Sequence, residues 1–179
     1  DHGHQCNPKF PRGADTRRMP GFNFNMNELQ GAVGLAQLKK FDYIMKKQKE
    51  NKRKLKAGLR LVSGIEFREL PDEQGDCGDT LIFFVKDKKT ALAALKKLAS
   101  KGLATKNIPS AFTWHFAGTW DHILAPLKSF RGKDLMKQWP VSANIVGRAI
   151  ALPVMVKMDA KQINNIIQIV KEMASELKF

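Results

Sequence analysis

The sequence has few cysteines and no long apolar run, and these absences narrow the possible classes of protein. Two cysteines in 179 residues cannot supply a disulfide framework, so a reducing cytoplasm is the expected compartment. No stretch approaches the ~18 consecutive apolar residues of a membrane span, so no membrane partner is expected. No P-loop, nucleophile elbow or dinucleotide fingerprint occurs. The chain begins at Asp1 without an initiator methionine, as a fragment or processed product would.

Positive charge is in clear excess, with 31 Lys and Arg against 17 Asp and Glu and a net charge of +14. The cations concentrate between Lys39 and Arg60, where apolar residues recur at spacings of three and four. That spacing predicts one buried helix face with the lysines on the solvated faces. A nucleic-acid-binding stripe is the less favoured alternative, because the segment lacks the aromatic stacking platforms of such proteins.

The coarse secondary structure changes character after a long helical stretch. Asn27 is placed to cap a helix from Leu29 to Val62, with a possible break at 46–51. The rest of the chain is predicted as short alternating elements: strand 65–70, an acidic turn 71–79, strand 80–86, helix 90–100, strand 103–106, an irregular aromatic stretch 107–141, helix 142–149, strand 150–152 and a final helix capped by Asp159.

This order predicts two parts of different kind. Residues 1–62 would form a loop and long helix that belong to a larger unit. Residues 63–179 would form a small α+β domain with a mainly antiparallel sheet and helices on one face.

Several side chains are candidates for binding. Asn23 and Asn25 precede the first helix, where short amides beside a helix N-terminus either bind an anion such as phosphate or simply cap the helix. His115, between two aromatic residues, is either a substrate contact or a packed histidine. No metal site is expected, since His2, His4 and Cys6 lack the spacing of a four-ligand set.

Three segments together resemble the DegT/DnrJ/EryC1/StrS family of sugar aminotransferases. The segment PGFNFNMNELQGAVGLAQLKKFD is similar to that family's Gly-(aromatic)-Asn-x-Arg motif, with Asn25 in the position usually held by Arg. DHGH at the start resembles the family's Asp-His-Gly, and PVSANIVGRAIALPVMVKMDAKQINNIIQIVKEM resembles its closing pattern. DHGHQCNPKFPRG and TWHFAGTWDH further resemble the branch that makes 8-amino-3,8-dideoxy-manno-octulosonate.

The resemblance implies an α/β fold, namely the C-terminal part of a fold type I, aspartate aminotransferase-like protein with a long interdomain helix and a small domain. It implies pyridoxal 5′-phosphate as cofactor, glutamate as amino donor and a homodimer. The Schiff-base lysine would lie upstream of Asp1, so no catalytic residue is assigned within this chain. The resemblance gives Asn23 and Asn25 a role at the neighbouring subunit's cofactor phosphate, and His115 with Trp114 a role at the substrate.

Three hypotheses remain open from the sequence. The chain is either part of that enzyme, inactive alone, or a non-catalytic interaction module derived from the same family. A basic nucleic-acid-binding domain is the least favoured alternative. An upstream reading frame with the cofactor lysine would favour the enzyme, and a native start codon just before Asp1 would favour the module.

Overall fold

The computed structural model describes residue 9 and the ranges 25–103 and 116–179. The chain divides into two compact units, Asp1–Asp42 and Tyr43–Phe179. This division falls within the helical stretch, whereas the predicted domain boundary at 62/63 concerns the parts of a larger protein and stays a prediction. No helix within the described ranges has the length and apolar character to cross a bilayer.

The predicted helical stretch is present but divided. Helix α1 (Glu28–Leu38) begins at the predicted N-cap Asn27, and α2 (Phe41–Leu59) follows after a turn. At the turn, the amide of Lys40 donates to the carbonyl of Gln37 at 2.9 Å, a tighter pattern than α-helical bonding. Helix α2 continues through 46–51, the region where the sequence allowed a break.

The second unit is built on a three-stranded antiparallel sheet of β1 (Glu66–Phe67), β2 (Thr80–Phe84) and β3 (Ala149–Pro153), in that order. In β2, Leu81 and Phe83 are buried and alternate with half-buried neighbours, as β-forming residues on a sheet with one covered face do. All of β3 but its last residue is buried. The sheet is mainly antiparallel, as predicted.

Within 43–103 and 116–179, the described part of this unit, four further α-helices occur: α3 (Lys88–Ser100), α4 (Asp121–Leu124), α5 (Pro140–Gly147) and α6 (Ala160–Leu177). Helix α6 is capped by Asp159, as predicted, and Asp159 and Gln162 form a capping box. The core joins α2, α3 and α6 to the sheet, and its fully enclosed side chains include Leu55, Leu59, Phe83, Leu98, Ile150, Val170 and Met173.

Some predicted elements differ in extent. The strand predicted for 65–70 is ladder-paired only at Glu66–Phe67. In α3, Leu92 is exposed, whereas the small residues Ala91 and Ala94 are buried. Most of the predicted strand 103–106 lies outside the described residues.

Candidate functional site

The predicted phosphate segment lies at the start of α1. Asn23 is outside the described residues, and Asn25 is exposed two positions before the N-cap. The side chain of Asn27 accepts from the Gln30 amide at 2.8 Å, and the Asn27 amide donates to the Gln30 side chain at 3.0 Å. This helix start therefore already satisfies part of its own hydrogen-bonding requirement.

A second feature of this helix start concerns charge. Glu28 occupies the first turn of α1, where its carboxylate interacts favourably with the positive end of the helix dipole. The same carboxylate would repel a phosphate placed on the helix axis. The role of Asn23 and Asn25 at a cofactor phosphate stays a prediction.

The other predicted site residues, Trp114 and His115, lie outside the described residues. The next residue, Phe116, is 3% exposed and meets the Trp139 ring edge-on, with 6.4 Å between ring centroids. Trp139 in turn packs against Phe130 at 5.7 Å. The hydroxyl of Thr119 donates to the Phe116 carbonyl at 2.8 Å. The residue that follows His115 is thus anchored in an aromatic cluster.

The lysines of α2 have an arrangement that sequence reasoning missed. Lys49 donates to the Gln74 carbonyl at 2.5 Å, and two further lysines pair with carboxylates of the acidic turn 71–79. These two pairs join Lys52 to Asp76 at 2.6 Å and Lys56 to Glu73 at 2.9 Å. We call this set of three contacts the lysine clamp; it corrects the expectation that the lysines of this segment face only solvent.

The centre of the lysine clamp is secluded from water. Lys52 is 8% exposed, and Asp76 also accepts from the Gly78 amide at 3.1 Å. Gly78 has a φ of +76° and its Cα lies against the backbone of α2 at Lys49, a close approach that a side chain would prevent. Because Lys52 is paired with Asp76, we assign it a structural role and not that of the cofactor lysine. Its sequence signal was three lysines at i, i+3 and i+7 followed by an acidic turn.

Comparison with known proteins defines the class of the chain. The model of the DegT/DnrJ/EryC1/StrS aminotransferase family matches residues 2–171. The chain therefore belongs to this aminotransferase family. The resemblance read from the three sequence segments is confirmed at the level of the family, and the octulosonate branch is not.

Solved structures give the fold. A protein of Streptococcus pneumoniae described as a sugar aminotransferase, Spr1654, matches with a TM-score of 0.71 and 18% identity over 98% of this chain and 41% of its own. PseC of Helicobacter pylori, an aminotransferase of pseudoaminic acid biosynthesis, matches with a TM-score of 0.66 and 18% identity over 98% of this chain and 44% of its own. The sugar aminotransferase CalS13 of Micromonospora echinospora gives 0.64 and 20% over 96% and 42%.

These structures confirm the predicted fold class, and the chain spans less than half the length of each. The pneumococcal protein has been solved in forms named for pyridoxal phosphate and pyridoxamine phosphate, in agreement with the predicted cofactor.

Proposed function

We propose that the chain is the C-terminal part of a pyridoxal-phosphate-dependent sugar aminotransferase. The observation that carries the proposal is the family match across residues 2–171, which spans the phosphate segment, the sheet and the first two thirds of the final helix. Two cysteines in the whole chain favour a cytoplasmic enzyme.

The cofactor would supply the electron-sink chemistry of amino-group transfer. From this chain, Asn23 and Asn25 would donate side-chain N–H groups to the phosphate of the neighbouring subunit's cofactor. Trp114 and His115 would contact the sugar. The next residue, Phe116, packs against Trp139. The lysine that binds the cofactor would come from a segment outside this chain, since none of the lysines here lies in the family's lysine motif.

The substrate proposed is a keto or aldehyde sugar, either a nucleotide sugar or a keto-deoxy sugar acid, with glutamate as amino donor. Within this class, the segments 1–13 and 113–122 favour the octulosonate branch, because both resemble it. A panel of keto sugars assayed with glutamate and the complete enzyme separates these substrates. Amino transfer from glutamate to none of them would contradict the proposal.

A homodimer is proposed from the surface of α1. Its apolar side chains, among them Leu29, Val33, Leu35 and Leu38, are 53% to 74% exposed, and none of its residues is buried. A helix that is apolar around most of its circumference is stable in water only when other protein covers it. Burial in the assembled enzyme would supply that cover.

The role of Asn23 can be tested in the complete enzyme. A lost hydrogen bond to a charged group costs about 1.5–3 kcal/mol, so Asn23→Ala should weaken cofactor retention about tenfold or more. Asn165→Ala, which removes an exposed asparagine of α6, is the matched control and should leave retention unchanged. Equal retention in the two variants, measured by equilibrium dialysis, would refute the assignment.

The assignment of the cofactor lysine outside this chain is tested separately. The isolated 179-residue chain, incubated with pyridoxal phosphate and reduced with borohydride, should carry no stoichiometric pyridoxyl group on any single lysine. Mass spectrometry of the digested chain gives the answer. A single fully modified lysine together with turnover would place the catalytic residue here and overturn this part of the proposal.

A further inference from the structure

The C-terminal turns of α2, the two residues that follow it and strand β1 line a cavity of ≈ 840 Å³ that is open to solvent. A cavity of this size is in the range of small-molecule sites. Its lining combines three cations with an apolar wall and contains no acidic residue. We call it the arginine cavity, and it is lined by Arg53, Lys56, Ala57, Arg60, Leu61 and Phe67.

The two arginines of this cavity differ from the lysines of the clamp. Lys56 is paired with Glu73, but Arg53 and Arg60 have no carboxylate within ion-pair distance among residues 25–103 and 116–179. Both are exposed and line the same cavity, Arg53 from α2 and Arg60 from the residue directly after the helix. The acidic turn therefore neutralises one side of α2 and leaves the arginine side charged.

The apolar residues of the cavity are accessible to a ligand. Leu61 is 93% exposed directly after Arg60, and the half-buried Phe67 ring lies 6.0 Å from the ammonium of Lys56. A flat apolar surface beside two guanidinium groups suits a molecule with both a ring and at least two anionic groups. Guanidinium is the side chain that binds phosphate in a bidentate manner, and aromatic or aliphatic surface contacts a base.

We propose that the arginine cavity binds a nucleoside diphosphate-type ligand. Arg53 and Arg60 donate to the two phosphate groups, with Lys56 between them, and the base lies against Leu61 and Phe67. Because this site is built only from α2, the two residues that follow it and β1, the proposal does not depend on the aminotransferase activity.

The test is calorimetric titration of the 179-residue chain with ADP at about physiological ionic strength. Adenosine and pyrophosphate, which each lack one half of the ligand, should both bind at least about tenfold more weakly than ADP. The double variant Arg53→Gln/Arg60→Gln should weaken ADP binding about tenfold or more. Arg131→Gln/Lys133→Gln removes the same charge from an exposed loop and is the matched control, expected to change affinity less than about twofold.

A second variant keeps the test independent of the arginines. Leu61→Glu places a carboxylate at the cavity edge without disturbing the core, because Leu61 is 93% exposed, and it should also weaken ADP binding. Equal loss in the two charge-matched double variants would mean binding by net charge alone and would overturn the proposal. Absence of ADP binding at millimolar concentration, or retention only of duplex DNA, would overturn it as well.

Discussion

Helices α1 and α2 follow each other directly along the chain. From composition alone, the apolar α1 would be expected to be buried and the lysine-rich α2 to be exposed. Helix α1 (ELQGAVGLAQL) is almost free of charge, and none of its residues is buried. Helix α2 is rich in lysine throughout FDYIMKKQKENKRKLKAGL, yet it buries Asn51, Lys52, Leu55 and Leu59. The basic helix is the better covered of the two.

The difference lies in where each helix finds its partners. Helix α2 has apolar residues on one stripe that reach the core, and its neighbouring lysines meet the acidic turn 71–79 within the same chain. Among the described residues nothing comparable covers α1. Composition alone thus predicts the need for a partner, and the fold decides whether the chain itself provides one.

The largest expected effect concerns the buried pair of the lysine clamp. Asp76→Ala leaves Lys52 secluded without its carboxylate, and removal of one partner of a buried pair costs about 3–5 kcal/mol. Glu73→Ala is the matched control, because its pair with Lys56 is exposed and should be worth less than about 1 kcal/mol. Urea unfolding measures both. Similar losses for the two variants would mean that α2 does not depend on its secluded ion pair.

The next effect tests the close approach of the acidic turn to α2. A Cβ on Gly78 would lie 2.8 Å from the Lys49 amide nitrogen, at a φ of +76°. Gly102 has nearly the same φ, +74°, and a Cβ there would have no neighbouring atom within 4 Å among the described residues. Gly102→Ala therefore isolates the cost of the backbone conformation.

We expect a loss of about 1 kcal/mol for Gly102→Ala and at least twice that for Gly78→Ala. Thermal unfolding of the two variants provides the comparison. Equal shifts in the midpoint would show that the turn does not press against α2 in solution.

A third prediction concerns the exposed apolar surface of α1. The isolated chain should self-associate or bind a hydrophobic dye through α1, more strongly at high salt because screening reduces repulsion between chains of net charge +14. Burial of a few hundred Å² of apolar surface at ~25 cal/mol per Å² supplies several kcal/mol before association costs.

Leu35→Lys/Leu38→Lys should abolish this association without changing the unfolding midpoint, since both side chains are already exposed. Leu127→Lys, at another exposed leucine, serves as the control and should leave association intact. Sedimentation that gives a strict monomer at every salt concentration, with no dye bound, would contradict the prediction.

The same contrast explains what the sequence could predict. The strand predicted for 80–86 and the cap at Asp159 depend on local residue types and spacing; the cap is present, and the strand is present over Thr80–Phe84. The division between α1 and α2 was missed, because the helical pattern continues across Lys39 and Lys40. The Lys52–Asp76 pair joins residues 24 positions apart, and only the path of the chain between them brings the charges together.

The candidate site was predictable in a narrower sense. The cap at Asn27 follows from local chemistry, and the structure bears it out. The roles of Asn23, Asn25, Trp114 and His115 rest on the family resemblance, because a site shared between subunits has no periodic signal in one sequence. The arginine cavity was hidden among the many cations of α2, since sequence gives no means of telling paired from unpaired cations.

The smallest expected effect is a difference in acid sensitivity between the N-caps of α1 and α3. Asn27 and Asp87 both accept from the amide three residues on, at 2.8 Å in α1 and 2.7 Å in α3. The hydrogen bond from the Thr90 amide lowers the pKa of Asp87 below its ordinary value. Because the folded pKa is the lower one, the stabilisation is present above the pKa of the unfolded chain and is lost as pH falls through the folded value.

Acid should therefore loosen the start of α3 and spare the uncharged cap of α1. Asp87→Asn keeps a capping oxygen but removes the titrating group. This variant should match the wild-type chain near neutral pH and lose less stability than wild type as the pH falls below about 3.9, the ordinary pKa of an aspartate. Urea midpoints across that range, with the Asn27→Ala chain as the control that loses its cap at all pH values, give the measurement. Parallel acid profiles for Asp87→Asn and wild type would show that the charge on this cap contributes nothing to stability.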